Sequence, residues 1–457
     1  MFPYTFFFSF RPLWLDVGQS LARRSQEFTT VLSKGPVVVR ARRSRWDWFY
    51  RTKSLLLLSV LSWLSCGRSQ EAVRLSLAGE TAAEVRRATT TSLGQSSFHL
   101  GTSAWNITAG LDTEVNDNVL FSSSQRQTDL ILRPQVQTEM NWPVSRNNAL
   151  NLAFETGYSA YTAHQEFNRF FIGPASELIF DAYAGDFWFR FHERLSVTED
   201  AYKDPTVLGT ANYSQLQDTA GLNTTWDLNK VQLSLAYDHT LYNALSAGDG
   251  FPGGGSDIWA ASAGYRASAT TQAGLQMGGG FVSYDGASAA LKKAANWNLG
   301  DFIELQPTEY VRLRASAGYT AYTPQSGDRL AEFTGIYGQV SLRHRLNRWL
   351  EYDLSGGRTV NFGYYEGTID LCNAVLDARW HFLQRLSVAT GLIFERGTQV
   401  FVGHESFERF GPRLSLERPL TQKLWAALRY QFYHRTSNEA GHQYEMNIIT
   451  ASLVYRL

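Results

Sequence analysis

From Trp105 to Leu457 the chain repeats one unit: an alternating apolar and polar run of roughly ten residues, a tight connection, a second run and a longer polar loop. Val231, Leu233, Leu235 and Tyr237 share one face of their run, while Gln232, Ser234 and Asp238 share the other. Farther on, Leu424, Ala426, Leu428, Tyr430 and Phe432 oppose Arg429, Gln431, Tyr433 and Arg435. Side chains alternate in this way on a β-strand. Short connections fall at Pro143 to Asn147, Ala184 to Asp186, Leu228 to Lys230, Ser268 to Thr270, Gln306 to Thr308, Leu346 to Arg348, Leu383 to Arg385 and Pro419 to Gln422. Between them lie mostly longer stretches, among them Asn116 to Thr128, His164 to Gly173, Glu199 to Asn212 and Thr398 to Glu405. A soluble β-sandwich also alternates, but strict alternation of short and long connections is the habit of a barrel with tight periplasmic turns and variable external loops. The pattern therefore predicts an all-β chain, a closed antiparallel transmembrane β-barrel. It has about eighteen strands, with sixteen as the second count. Closure is required because hydrocarbon offers no hydrogen bonds to an open sheet edge.

Two further patterns sharpen the orientation. Trp142, Trp188, Trp226, Trp349, Trp380 and Trp425 each lie close to a short connection, and Trp105 opens the first run at the same end. Indole favours the boundary between headgroup and hydrocarbon, so these seven are expected to form a periplasmic aromatic girdle. At the other end of the chain, Ile449, Ala451, Leu453, Tyr455 and Leu457 are apolar at every second position. Leu453, Tyr455 and Leu457 resemble the C-terminal signal read by the outer-membrane barrel assembly machinery, with Leu457 where Phe or Trp is commoner.

Residues 102–457 are thus assigned to the barrel and 70–101 to a periplasmic lead-in. Residues 51–69, basic at Arg51 and Lys53 and then apolar through Ser54 to Leu64, read as a secretory signal peptide. Residues 1–50 are expected to be disordered or to lie upstream of the true start. Mean hydropathy is −0.25, which does not argue against a membrane, because half of every barrel strand is polar. Residues 1–69 carry 11 Lys+Arg and 3 Asp+Glu in a chain that is neutral overall, so the remainder is acidic by about 8 charges. That balance gives no reason to expect nucleic acid as a partner. Of two cysteines, Cys66 falls in the export segment and Cys372 shares its phase with Ala374, Leu376 and Ala378, a small lipid-facing filler.

Candidate chemistry is sparse. His192-Glu193 and His404-Glu405 lack the second histidine of a zinc protease helix, and no G-x-S-x-G occurs. Asp112, Glu114, Asn116 and Asn118 alternate oxygen ligands but lack the glycine and glutamate of a calcium loop. No enzyme, cofactor or metal is expected. The polar phase of the strands is richer: Arg190, Arg194, Arg312, Arg314, Arg343, Arg379, Arg409, Arg413, Arg429 and Arg435, with Glu351 and Asp353, are expected to face the lumen. Charges there would screen solutes by sign, and the arginines suggest an anion lean.

The whole chain beyond the signal segment, from residue 70 onward, resembles the porin-2-like family of outer-membrane β-barrels of Gram-negative bacteria. The residues that carry the resemblance are Asn116-Asp117-Asn118-Val119-Leu120-Phe121, Thr128-Asp129-Leu130-Ile131-Leu132-Arg133-Pro134 and the repeated Leu-Asn-Lys/Arg turns. The resemblance implies an outer-membrane location, contact with lipid and lipopolysaccharide, and passive diffusion of small hydrophilic solutes. Glu199 to Asn212 is the loop expected to fold inward, and a homo-oligomer is allowed for. A conduit or scaffold for exopolysaccharide export is the second reading.

Overall fold

The computed structural model describes residues 96–198, 214–245, 253–285, 293–325, 332–362, 368–383, 385–400 and 405–457. The readings of residues 1–50, 51–69 and most of 70–101 lie outside these, as does the Glu199 to Asn212 loop.

Strand segments follow one another along the described chain. They are β1 (Phe98–Leu100), β2 (Ser103–Asn116), β3 (Asp129–Pro143), β4 (Asn148–Tyr161), β5 (Arg169–Ile172), β6 (Glu177–Ala184) and β7 (Phe187–Thr198). Next come β8 (Gln215–Asp227), β9 (Val231–Ala244), β10 (Gly253–Ser268), β11 (Thr271–Asp285), β12 (Lys293–Thr308), β13 (Val311–Pro324) and β14 (Phe333–Arg345). The last are β15 (Leu350–Phe362), β16 (Thr368–Leu383), β17 (Leu386–Gln399), β18 (Ser406–Pro419), β19 (Leu424–Ser437) and β20 (Tyr444–Arg456). Apart from β5 and β6, which do not pair with each other, consecutive strands pair antiparallel, and β2 pairs with β20 from Thr108↔Arg456 to Asn116↔Ile448. That last ladder closes the sheet on itself. β5 and β6 stack along the same edge of β4 and together form one stave, while β1 is a short addition beside the foot of β2. The barrel therefore has eighteen staves, an even number as closure by up-and-down hairpins demands.

Two boundaries differ from the sequence reading. Arg169–Ile172, inside the expected His164 to Gly173 loop, is strand: Phe170 and Ile172 alternate with Arg169 and Phe171 and pair with β4. The run is too short to show a period by itself. The connection expected at Gln306 to Thr308 lies beyond Thr308, because a bulge between Leu305 and Thr308 carries β12 on to pair Thr308 with Val311.

Register identifies the two faces. The phase holding Leu235, Leu275, Leu299, Ile336, Leu354, Phe394, Leu428 and Leu453 is exposed despite being apolar. The opposite phase holds buried polar groups: Glu114, Arg190, His192, Thr240, Asn298, Thr320, Glu395 and Arg409. Side chains converge on the concave side of a closed sheet and diverge on the convex side, so the buried polar phase is the interior. Against about 25 cal/mol per Å² of apolar surface, an exposed belt of this size is a lipid-facing surface rather than one that faces water. Carboxylates interrupt this phase in places, among them Glu193 between Phe191 and Leu195 and Asp301 between Leu299 and Ile303. No helix among the described residues is long and apolar enough to cross a membrane.

Candidate functional site, the barrel interior

Strand pairing puts directly opposed residues on the same face, so a charge on one inward phase meets its partner one strand away. Arg343↔Asp353 and Glu351↔Arg379 are direct cross-strand pairs, closed at 2.8 Å and 3.5 Å. Arg190 Nε reaches Asp181 at 2.9 Å and Arg194 reaches Glu177 at 3.0 Å. Glu304 receives two arginines, Arg312 at 2.7 Å and Arg314 at 3.8 Å. Arg409 Nε donates to Glu395 at 2.6 Å, Arg435 pairs with Glu405 at 3.0 Å and Arg429 with Asp112 at 3.9 Å. Arg413 pairs with Asp377 across the intervening strand. All twelve lumen candidates thus lie on the inward phase, and each of the ten arginines among them sits beside a carboxylate.

These pairs differ in weight. Arg312–Glu304, Arg343–Asp353 and Arg379–Glu351 are substantially exposed, and such pairs contribute about 0–1 kcal/mol each. Arg409–Glu395 and Arg435–Glu405 are buried, where losing one partner costs about 3–5 kcal/mol because the other charge is stranded. Both buried guanidiniums also lie over rings, Arg409 at 5.3 Å from Tyr433 and Arg435 at 4.3 Å from Phe407. His442 adds a contact to Glu405 at 3.2 Å, and Ser437 donates to the same carboxylate at close range. The outer part of the β17 to β20 wall is accordingly a dense polar and aromatic lining. Nothing in the spacing of Glu405, Arg435 and His442 announces it, because Glu405 lies in a loop outside any alternating run.

The loop that folds inward among the described residues is 117–128. Asn118, fully buried, donates to Ser122 O at 2.9 Å and Glu445 O at 2.8 Å, and its Oδ1 accepts from Ser122 N at 2.9 Å. Asp117 accepts from the backbone and side chain of Asn447, both at 2.7 Å. The loop carries Phe121 onto Tyr444, ring centroids 5.2 Å apart, beside the inward-phase cluster Tyr433, Met446 and Ile448. Phe121 holds φ = 54°, a conformation a phenylalanine adopts at a cost of about 1–3 kcal/mol, offset here by burial and the asparagine bonds. Asn116, Asp117 and Asn118 therefore serve loop packing: Asn116 Oδ1 accepts from Asn118 N at 2.9 Å. Among the described residues no group of three His, Cys, Asp or Glu side chains is placed to hold a metal ion.

The seven tryptophans divide by face. Trp105, Trp142, Trp226 and Trp380 occupy the outward phase near the short-turn rim. Trp188 lies inward: it stacks on Tyr183 at 6.0 Å, donates to Asp181 at 2.9 Å and lies under Arg190 at 4.5 Å. Trp425 is inward too, beneath Arg456 at 4.7 Å, and Trp349 sits in the turn itself. Distance from a turn cannot separate the faces, since one residue of offset reverses them. Outward aromatic residues also occur far from the short turns: Trp297 and Tyr319 lie 5.6 Å apart in the outer half of β12 and β13. At the terminus, Leu453 and Tyr455 lie outward in register with Leu111 and Ala109, and Leu457 N donates to Ile107 O at 3.0 Å.

Comparison with known proteins adds fold-level likeness. No protein-family model matches the chain, and no curated protein matches it. Among solved structures, Pseudomonas aeruginosa OccK2 (OpdF) in complex with glucuronate aligns at 11% identity over 79% of this chain and 100% of that one, with a TM-score of 0.46. Pseudomonas aeruginosa OpdQ aligns at 10% identity over 78% and 100%, TM-score 0.45, and Acinetobacter baumannii OccAB3 at 9% over 78% and 100%, TM-score 0.42. At such identities, and with TM-scores under 0.5, the likeness assigns this chain neither a solute nor residue-by-residue equivalences.

Proposed function

We propose that the chain is an outer-membrane channel of a Gram-negative bacterium through which small hydrophilic solutes diffuse passively. The observation that carries this reading is the division of faces on a closed ring of eighteen staves, apolar outside and polar, charged inside. A barrel of this circumference is too wide for strand side chains alone to fill and leaves an aqueous interior. The interior charges are matched almost pair by pair, so selectivity is expected to be weak. Its residual sign follows from arrangement: arginines concentrate on β13, β14, β18 and β19, while Asp112, Glu114, Asp129 and Glu139 line β2 and β3. That arrangement supports a slight preference for anions.

The same reading extends to three points beyond the barrel wall. The chain is a porin-2-like protein, its belt meets phospholipid and lipopolysaccharide, and Leu453, Tyr455 and Leu457 address it to the barrel assembly machinery. None of the described residues favours an export conduit. Single-channel recording of the refolded barrel in a planar bilayer tests the proposal: stepwise conductance that scales with salt, and a reversal potential displaced slightly toward chloride, are expected. A barrel that is folded by heat-modifiable gel migration yet silent in the bilayer overturns it.

A further inference from the structure

We propose that the short-turn mouth of the barrel carries a binding site for small organic oxyanions, built from Arg345 and Arg348 beside the Trp349 indole. A cavity of about 520 Å³ opens there, lined by Tyr310, Arg345, Arg348, Trp349, Glu351 and His381 among others. That volume suits a molecule of monosaccharide or single-ring size.

Its two guanidiniums set it apart. Every arginine singled out in the lumen has a carboxylate beside it, whereas neither Arg345 nor Arg348 lies within ion-pair distance of one among the described residues. Glu351, which lines the cavity and stands opposite Arg345 in the β14–β15 register, is paired instead with Arg379 at 3.5 Å. An arginine without an internal partner keeps its donors for an exogenous carboxylate or phosphate, which guanidinium grips through two parallel hydrogen bonds.

The framework is preorganised by backbone. Asn347 Oδ1 accepts from Trp349 N at 2.8 Å and Leu350 N at 2.9 Å, fixing the turn. Arg345 N donates to Tyr310 O at 2.8 Å, and His381 N donates to Trp349 O at 2.7 Å, so the four neighbouring staves β13 to β16 hold the cavity walls. Arg348 lies 4.5 Å over the Trp349 ring, which orients the guanidinium and leaves the half-exposed indole as a flat surface for the body of the ligand. Carboxylate and phosphate share this chemistry, and the site is defined by both.

Isothermal titration of the full-length barrel in detergent micelles tests the site without requiring conduction, so a failure here and a failure of the channel reading are separable. The probes are phenyl phosphate, benzoate and inorganic phosphate, with glucose as the neutral control. Saturable binding of the first two is expected and none of glucose; whichever of phosphate or carboxylate binds tighter identifies the preferred head. R345A/R348A should weaken binding about tenfold or more, in keeping with the loss of charge-assisted hydrogen bonds. W349A should weaken phenyl phosphate several-fold and leave inorganic phosphate unchanged. Lys230→Ala, in another short turn, should change nothing, and gel migration of each variant reports that it folds. Undiminished binding by R345A/R348A, or an equal loss in K230A, overturns the proposal.

Discussion

Glu304 is the lumen carboxylate shared by two arginines, Arg312 at 2.7 Å and Arg314 at 3.8 Å, and the Arg312 pair is open to solvent. Glu304→Gln removes one negative charge, keeps the side-chain shape and leaves two guanidiniums facing the interior. A unit charge about 7 Å from a passing ion in water-like dielectric is worth about 0.6 kcal/mol, close to RT. At 0.1 M salt the screening length is about 10 Å, which trims the effect to roughly half. Chloride is favoured and potassium disfavoured by the same factor, so the local ratio of the two shifts about threefold. Averaged along the pore, the permeability ratio should move about twofold toward anions. Reversal potential across a planar bilayer in a KCl gradient measures this directly. Glu408→Gln is the control, because Glu408 pairs with Arg396 on the outward phase and should leave the ratio where it was. An unchanged reversal potential in E304Q, or one displaced toward potassium, would refute the placement of these arginines in the ion path.

Asn118→Ala should free the 117–128 loop, since one side chain holds three of its hydrogen bonds. The expected outcome is faster tryptic cleavage after Arg126 and larger, noisier single-channel steps; unaltered cleavage and conductance would show that the loop is held by Phe121 alone. Asp301→Leu should stabilise the barrel by about 1–2 kcal/mol, because a carboxylate in the middle of a lipid belt carries a penalty that leucine does not. Urea titration of the barrel folded in vesicles reads the shift, and a lower midpoint would mean that Asp301 has a partner in the membrane. Asp129, at the outer rim where β3 leaves its loop, is held down to about 2: burial raises it, but hydrogen bonds from Ala163 N, Thr162 Oγ1 and His164 outweigh that. A depressed carboxylate stabilises its contacts above its free value, near 3.9, and the gain is lost as pH falls through the folded value. The Ala163 and His164 amide resonances should therefore titrate near pH 2, and a midpoint near 4 would contradict the bonding.

How much of this was legible depended on how many neighbours a feature needs. The face of Arg190 or Arg429 follows from its own strand, because a period of two needs no partner, and all twelve lumen charges could be placed that way. Trp188 and Trp425 show the limit: nearness to a turn gives depth but not face. The pairing of charges needed the registers between strands, some of them shifted by bulges, as between Leu305 and Thr308 and between His381 and Leu383, which no single strand announces. The inward fold of 117–128 needed still more, since Asn118 and Asp117 find their partners on β20, over three hundred residues away.

The inward glycines explain how so many charges fit without closing the lumen. Gly391 lies on β17 between Asp377 on β16 and Arg413 on β18, and a Cβ there would meet the Asp377 carboxylate at 2.6 Å. Gly221 lies on β8 between His192 and Asp238, which meet across it at 3.2 Å. Gly300 and Gly318 lie beneath Tyr337, whose hydroxyl crosses them to accept from Gln276 Nε2 at 2.9 Å, and a Cβ at Gly318 would come within 2.6 Å of the tyrosine ring. In each case the missing side chain is the channel through which two residues on non-adjacent strands join, lying flat along the wall instead of projecting inward. A glycine in a strand normally weakens it by failing to pack. Here that loss is the condition for a wall-hugging ion pair or ring, and a wall-hugging interior is what a diffusion pathway requires. Gly391→Val should accordingly part Arg413 from Asp377 and push the guanidinium into the lumen, lowering conductance while leaving the closing β2–β20 ladder intact. A variant that conducts like the parent would mean that the ion pair does not need the gap.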